Sequence, residues 1–188
     1  MKTFVAISSL AMMAGLSACA TSGEGVAPAS ASSTASDAMP SVNATLLGGD
    51  GAAHGTAKIV QTSDGLQVSV AATGLTPGVH AAHVHTTGTC TAPDFTSAGG
   101  HWNPMAKQHG MENPMGSHMG DMPNMTVGAD GTGTLTYTIK GATLADGAAP
   151  LLDADGAAVV VHADPDDYKS DPAGKAGGRV ACGVLSRT

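Results

Sequence analysis

The sequence predicts an all-β domain: an eight-stranded antiparallel Greek-key sandwich or barrel that carries two long functional loops. Three observations predict it. Apolar and polar residues alternate at period two along Leu66-Val68-Val70-Ala72 and Gly133-Leu135-Tyr137-Ile139, the pattern of strands buried on one face. Asp64-Gly65 and Asp130-Gly131 are hairpin-type turn signals. From Val42 onward no stretch has the 3.6-residue period of an amphipathic helix.

Taken in order, the strands fall near 42–48, 54–62, 65–73, 79–87, 124–128, 131–140, 157–163 and 179–185. Irregular stretches at about 88–123 and 164–178 interrupt them, and loops of that length inside a compact domain are usually functional. Aromatic residues make up only 3% of the chain, so the core must be aliphatic. Cross-links and bound metals are then expected to add to stability.

Of the 188 residues, 42–188 read as one folded domain. Residues 1–18 read as a secretory leader, with Lys2, an apolar run from Phe4 to Leu16, and small residues before Cys19. The run is too short for a spanning helix. Leu16-Ser17-Ala18-Cys19 resembles a bacterial lipobox, in which Cys19 would be diacylated; an ordinary leader with an incidental cysteine is the alternative. Ala20 is not the aspartate of an inner-membrane retention signal, so export to the periplasm and outer-membrane anchoring are expected for a Gram-negative source. The membrane would then be a partner only through this lipid. Residues 19–41, rich in Ala and Ser, read as a flexible tether. A net charge of −7 argues against nucleic acid as a partner.

Residues able to bind metal fall in the order His83, His85, His101, His109, His118, Asp121, His162. His83-Val84-His85 is an i, i+2 pair, so both imidazoles leave one face of a strand. His101, His109, His118 and Asp121 offer the N and O donors of a tetrahedral zinc set within one loop-like stretch. His162, after Val159-Val160-Val161, can complete the first pair. Two metals of different character are implied.

These residues and their surroundings resemble the copper/zinc superoxide dismutase family. The matching stretches are His83-Val84-His85, Gly99-Gly100-His101-Trp102-Asn103-Pro104, His109-Gly110, His118-Met119-Gly120-Asp121, Val160-Val161-His162-Ala163-Asp164-Pro165-Asp166-Asp167 and Gly177-Gly178-Arg179-Val180-Ala181-Cys182-Gly183. The chain departs from the family at Ala81-Ala82, where Gly-Phe is usual, and at Thr86, where an acid is frequent. Neither position is a ligand.

The resemblance implies a copper ion on His83, His85, His101 and His162, and a zinc ion on His101, His109, His118 and Asp121, with His101 bridging the two. It implies that Asp166 orients His83 and His109, and that Arg179 binds superoxide above copper. With Cys19 carrying lipid, Cys90 and Cys182 remain, and both match the family's disulfide positions. His101 and Arg179 are the expected catalytic residues, with superoxide as the substrate. The rival reading is a non-enzymatic periplasmic protein that buffers or delivers copper or zinc on the same fold. The chain leaves monomer and homodimer both open. Lys169, Lys175 and Arg179 predict a local positive funnel for an anionic substrate. His80 matches a family histidine that bonds within the fold, and His54 reads as solvated. Met105, Met111, Met115, Met119, Met122 and Met125 read first as adaptable filler, with a copper-loading surface or an oxidant trap as alternatives.

Overall fold

The computed structural model describes residues 39–187. The leader, Cys19 and nearly all of the 19–41 tether lie outside the described residues. Ten strands form: β1 Ser41–Gly48, β2 Ala53–Gln61, β3 Gly65–Ala72, β4 Gly78–His80, β5 Ala82–His85, β6 Met125–Val127, β7 Gly133–Lys140, β8 Ala158–His162, β9 Arg179–Val184 and β10 Ser186–Arg187. A single 3-10 turn, Thr96–Ala98, is the only helical element among the described residues.

All strand pairs are antiparallel, in the order β4-β6-β7-β3-β2-β1-β9-β8-β5, with β10 added against β1. The two ends of this order, β4 and β5, are neighbours in the chain, separated only by Ala81. The sheet therefore curls into a nearly closed barrel. The expected strand 79–87 is two strands because its halves pair with different partners, β6 and β8. At the break, Ala81 N–H donates to Asp164 O (2.9 Å) and Ala81 O accepts from His162 N–H (2.9 Å). The chain also has a third irregular connection, between β7 and β8, beyond the two loops that the sequence marked.

Alternation sorts the residues as expected. Leu66, Val68, Val70 and Ala72 face the barrel core beside Val42, Leu46, Ile59, Val84 and Val159. Full burial of each Val, Leu or Ile is worth about 1.5–3 kcal/mol, so a mostly aliphatic interior carries the fold, with Trp102 its one buried aromatic and Phe95 buried in the smaller cluster outside. Tyr137 is the exception on its strand, half-buried at the core's margin. Strand β8 is buried along its whole length. Val159 and Val161 face the barrel, while Ala158 and Val160 join Phe95, Ala98 and Cys182 in a second cluster outside it. That cluster seats the 86–124 loop, and the Cys90–Cys182 disulfide fastens the loop to β9. Its Cα atoms are 5.8 Å apart, within the usual range.

The same loop runs alongside β5. His85 lies opposite His101 and His83 opposite Asp121. Trp102 N–H donates to Val84 O (2.8 Å), and Val84 N–H donates to Gly120 O (2.9 Å). Gly120 is needed here, because a Cβ at this position would strike the Val84 carbonyl.

Candidate metal centre

Strand β5 places the first pair. Ala82 and Val84 point into the barrel, so His83 and His85 must point out. They are nonetheless buried, because the loop covers that face. His162 ends β8, and its N–H bond to Ala81 O brings it beside them. His101 and Asp121 arrive on the two loop segments that flank β5. His109 and His118 are held through Asp121, whose Oδ2 accepts from Gly110 N–H (2.9 Å) and His118 N–H (3.0 Å).

Four buried ring nitrogens have no hydrogen-bond partner: His83 Nδ1, His85 Nε2, His101 Nε2 and His162 Nε2. Ligand atoms of these four residues lie within 4.8 Å of one another. A buried polar atom left unpaired costs about 1–3 kcal/mol, so four together call for a shared cation. The opposite nitrogens set the tautomers. His83 Nε2 lies 2.9 Å from Asp166 Oδ2, His85 Nδ1 3.0 Å from Gly99 O, His101 Nδ1 2.9 Å from Asp121 Oδ1, and His162 Nδ1 3.4 Å from Gly177 O. On His83, His85 and His162 the proton is directed outward to an acceptor, which leaves the lone pair on the orphan nitrogen, whereas a cation at His101 Nδ1 would take the place of the proton shared with Asp121. Burial pushes His83 down to about 4 and His162 down to about 3, and it lowers His85 as well. At neutral pH all three are uncharged donors.

The second set gathers around Asp121. From Asp121 Oδ1 the distances are 2.9 Å to His101 Nδ1, 3.1 Å to His109 Nδ1 and 3.3 Å to His118 Nδ1. His118 Nδ1 lies 3.4 Å from His101 Nδ1. A tetrahedron with metal–ligand bonds of about 2.0–2.1 Å has edges of about 3.3 Å, so these four atoms fit zinc. Burial would raise the Asp121 carboxyl, but bonds from His101 and His109 hold it well below the carboxylate range. Burial likewise opposes charge on His109, yet Asp121 and Asp166, one at each ring nitrogen, outweigh it and push His109 up to about 9. A cation at Nδ1 would take the place of that extra proton. His101 belongs to both sets, one nitrogen in each.

Asp166 joins the sets from behind, with Oδ2 toward His83 Nε2 and Oδ1 2.9 Å from His109 Nε2. Burial would raise its carboxyl, but bonds from His109 and His83 hold it low. Its own position is fixed by residues that the sequence did not single out. Asn124 Oδ1 accepts from Asp166 N–H (2.8 Å), and Asn124 Nδ2 donates to Asp166 O (3.0 Å). Tyr168 N–H donates to Asp166 Oδ1 (2.7 Å), and Tyr168 Oη accepts from Asn124 N–H (2.8 Å). Gly174 lies so close that a Cβ would strike Asp166 Oδ1. An Asn just before a strand carries no distinctive signal in the sequence.

Arg179 opens β9 and is half-buried. Its Nη1 donates to Phe95 O (2.6 Å) and its Nη2 to Gly99 O (2.7 Å). It lines a cavity of about 310 Å³ with His85, His101, His118 and His162. The expected funnel is narrower than the sequence implied. Lys169 pairs with Glu112 (2.9 Å) and Lys175 with Asp167 (3.6 Å), and neither lines the cavity.

The remaining predicted residues divide. His80 is structural: its ring nitrogens reach His162 O (2.7 Å) and Thr76 O (2.8 Å). His54 is not simply solvated, because its Nδ1 lies 3.1 Å from Thr73 O. Ala81 and Ala82 are fully buried. Met122 and Met125 are core filler, whereas Met105, Met111 and Met115 are exposed.

Comparison with known proteins agrees with this geometry. The family described as copper/zinc superoxide dismutase matches residues 53–185. The Cu-Zn superoxide dismutase of Caulobacter vibrioides is 44% identical over 151 residues, covering 77% of this chain and 85% of that protein. The superoxide dismutase-like protein YojM of Bacillus subtilis is 41% identical over 143 residues, covering 74% and 73%. The solved Cu/Zn superoxide dismutase of Brucella abortus superposes with a TM-score of 0.61 at 30% identity, covering 78% of this chain and 99% of that one.

Proposed function

This chain belongs to the copper/zinc superoxide dismutase family, and on that premise we propose that it is an active dismutase, converting superoxide to O₂ and hydrogen peroxide. Copper would be held by His83, His85, His101 and His162, and zinc by His101, His109, His118 and Asp121. When bound, copper supplies one-electron exchange with superoxide, and zinc supplies a fixed charge on His101.

The protein's own groups do the rest. Arg179 attracts and orients the anion by charge-assisted hydrogen bonds, and the Phe95 and Gly99 carbonyls keep its guanidinium aimed into the cavity. His101 Nε2, which has no protein partner, takes up a proton and passes it to the substrate being reduced; water supplies the other. Asp166 orients His83 and His109.

The observation that carries this reading is the set of four orphan nitrogens, three of whose histidines, His85, His101 and His162, line one cavity with Arg179. The rival, a copper- or zinc-buffering protein, draws on the exposed methionines but gives Arg179 no task. Superoxide decay after pulse radiolysis of metal-loaded protein separates them. A rate constant near ~10⁸–10⁹ M⁻¹s⁻¹ supports the enzyme, and little activity with both metals verified sinks it. We also propose export to the periplasm and outer-membrane anchoring through lipidated Cys19. The Cys90–Cys182 disulfide supports an oxidising compartment. Mass spectrometry of the membrane-extracted protein should find a diacylated Cys19; an unmodified residue would remove the anchor.

A further inference from the structure

The methionines fall into two classes. Met122 and Met125 are 0% and 1% exposed and serve the barrel core, and Met119 packs at its margin. Met105, Met111 and Met115 are 57%, 41% and 62% exposed. Filler that fills nothing needs another account. Among the described residues only four other large hydrophobic side chains, Met39, Leu47, Val79 and Val184, are as open, and none lies in this loop.

The three exposed methionines lie on one segment whose backbone turns and folds back on itself. Asn103 closes a turn around Met105, accepting from Lys107 N–H at Oδ1 (3.0 Å) and donating to Lys107 O from Nδ2 (2.8 Å). The next residue, Gln108, donates its N–H to Met115 O (3.1 Å), which folds the segment back on itself. Met111 sits in the intervening turn, closed by Asn113 N–H to Gly110 O (3.1 Å). Asn113 Nδ2 adds a bond to Gln108 Oε1 (3.2 Å). A fixed backbone thus presents three unbranched side chains, each with three free torsions. Thioethers are soft ligands that favour Cu(I) over Zn²⁺ or Cu²⁺.

We propose that Met105, Met111 and Met115 form a surface site for Cu(I), separate from both histidine sets. Copper binds there as Cu(I) and leaves as Cu(I), so no electron changes hands. The site does not depend on dismutase activity, and its test reads bound metal.

The full chain, with both histidine sets already loaded, is titrated with Cu(I) under anaerobic conditions against a chromophoric Cu(I) chelator. One further equivalent of Cu(I) is expected. M105L/M111L/M115L should lose it, each single change should weaken it on the order of tenfold, and M122L should leave it alone. Because the altered side chains are exposed, the triple variant should keep its melting temperature. Methyl NMR with Ag(I), a redox-inert stand-in, should shift the three exposed methionines together and spare Met122 and Met125. The proposal is overturned if no further equivalent binds, if the triple variant retains it, or if the three methyls do not respond.

Discussion

Replacing Asp166 with alanine tests whether the two metal sets share one support. The side chain accepts from buried His83 Nε2 and buried His109 Nε2, each at 2.9 Å. One histidine belongs to each set. Alanine leaves two buried ring N–H groups unpaired, at about 1–3 kcal/mol each, so the fold should lose about 2–6 kcal/mol. Metal binding should suffer separately, because the rings lose their orientation. Removing such a support typically costs ten- to a hundredfold in affinity, about 1.4–2.7 kcal/mol. Asp166→Asn keeps one acceptor and turns a donor toward the other ring, so it should fall between parent and alanine. Zinc and copper affinities are measured by chelator competition, and stability by denaturant titration of the metal-free protein. Weakening of both metals is the expected result. If Asp166→Ala binds both within twofold of the parent, the coupling argument fails.

Other perturbations read other parts of the site. Arg179→Ala should keep both metals and lose most activity; a fully metallated variant with parental activity would remove its assigned role. Serine at Cys90 and Cys182 should cost about 2–5 kcal/mol, seen as a lower denaturant midpoint, and should loosen the 86–124 loop; an unchanged midpoint would count against it. Stability of the metal-free protein should peak near pH 6.5. Below that pH the unfolded chain protonates first, because folded His83 is pushed down to about 4 and His162 down to about 3, so stability falls as pH drops toward those values. His109 has the opposite sign: raised to about 9, its contribution is complete below 6.5 and fades as pH climbs through 9. Denaturant midpoints at pH 4.5, 6.5 and 9 test this, and a steady rise toward acid would contradict it.

The strands and the titratable residues of the centre were legible because both follow rules written in side chains. Period-two alternation marks β3 and β7, and the His83–His85 spacing fixes a common face. What alternation cannot show is that this outer face is covered: β5 is buried on both sides only because a distant loop lies over it. Main-chain partners were likewise invisible. Arg179 is aimed by the carbonyls of Phe95 and Gly99, and a carbonyl is present at every residue. Asn124 and Gly174 act through close fit to Asp166, which local sequence does not encode. Lys169 and Lys175 do not line the cavity, because proximity along the chain says nothing about pairing with Glu112 on the other long loop or with Asp167 across a turn.

The placement of the loop beside β5 has a further consequence. Without Trp102 and Gly120, β5 would show unsatisfied amides and carbonyls, a template on which a second chain could add a strand. The covering segments carry His101 and Asp121, which lie in the two metal sets. The same two short segments therefore both carry candidate metal ligands and keep the barrel's seam closed to polymerisation.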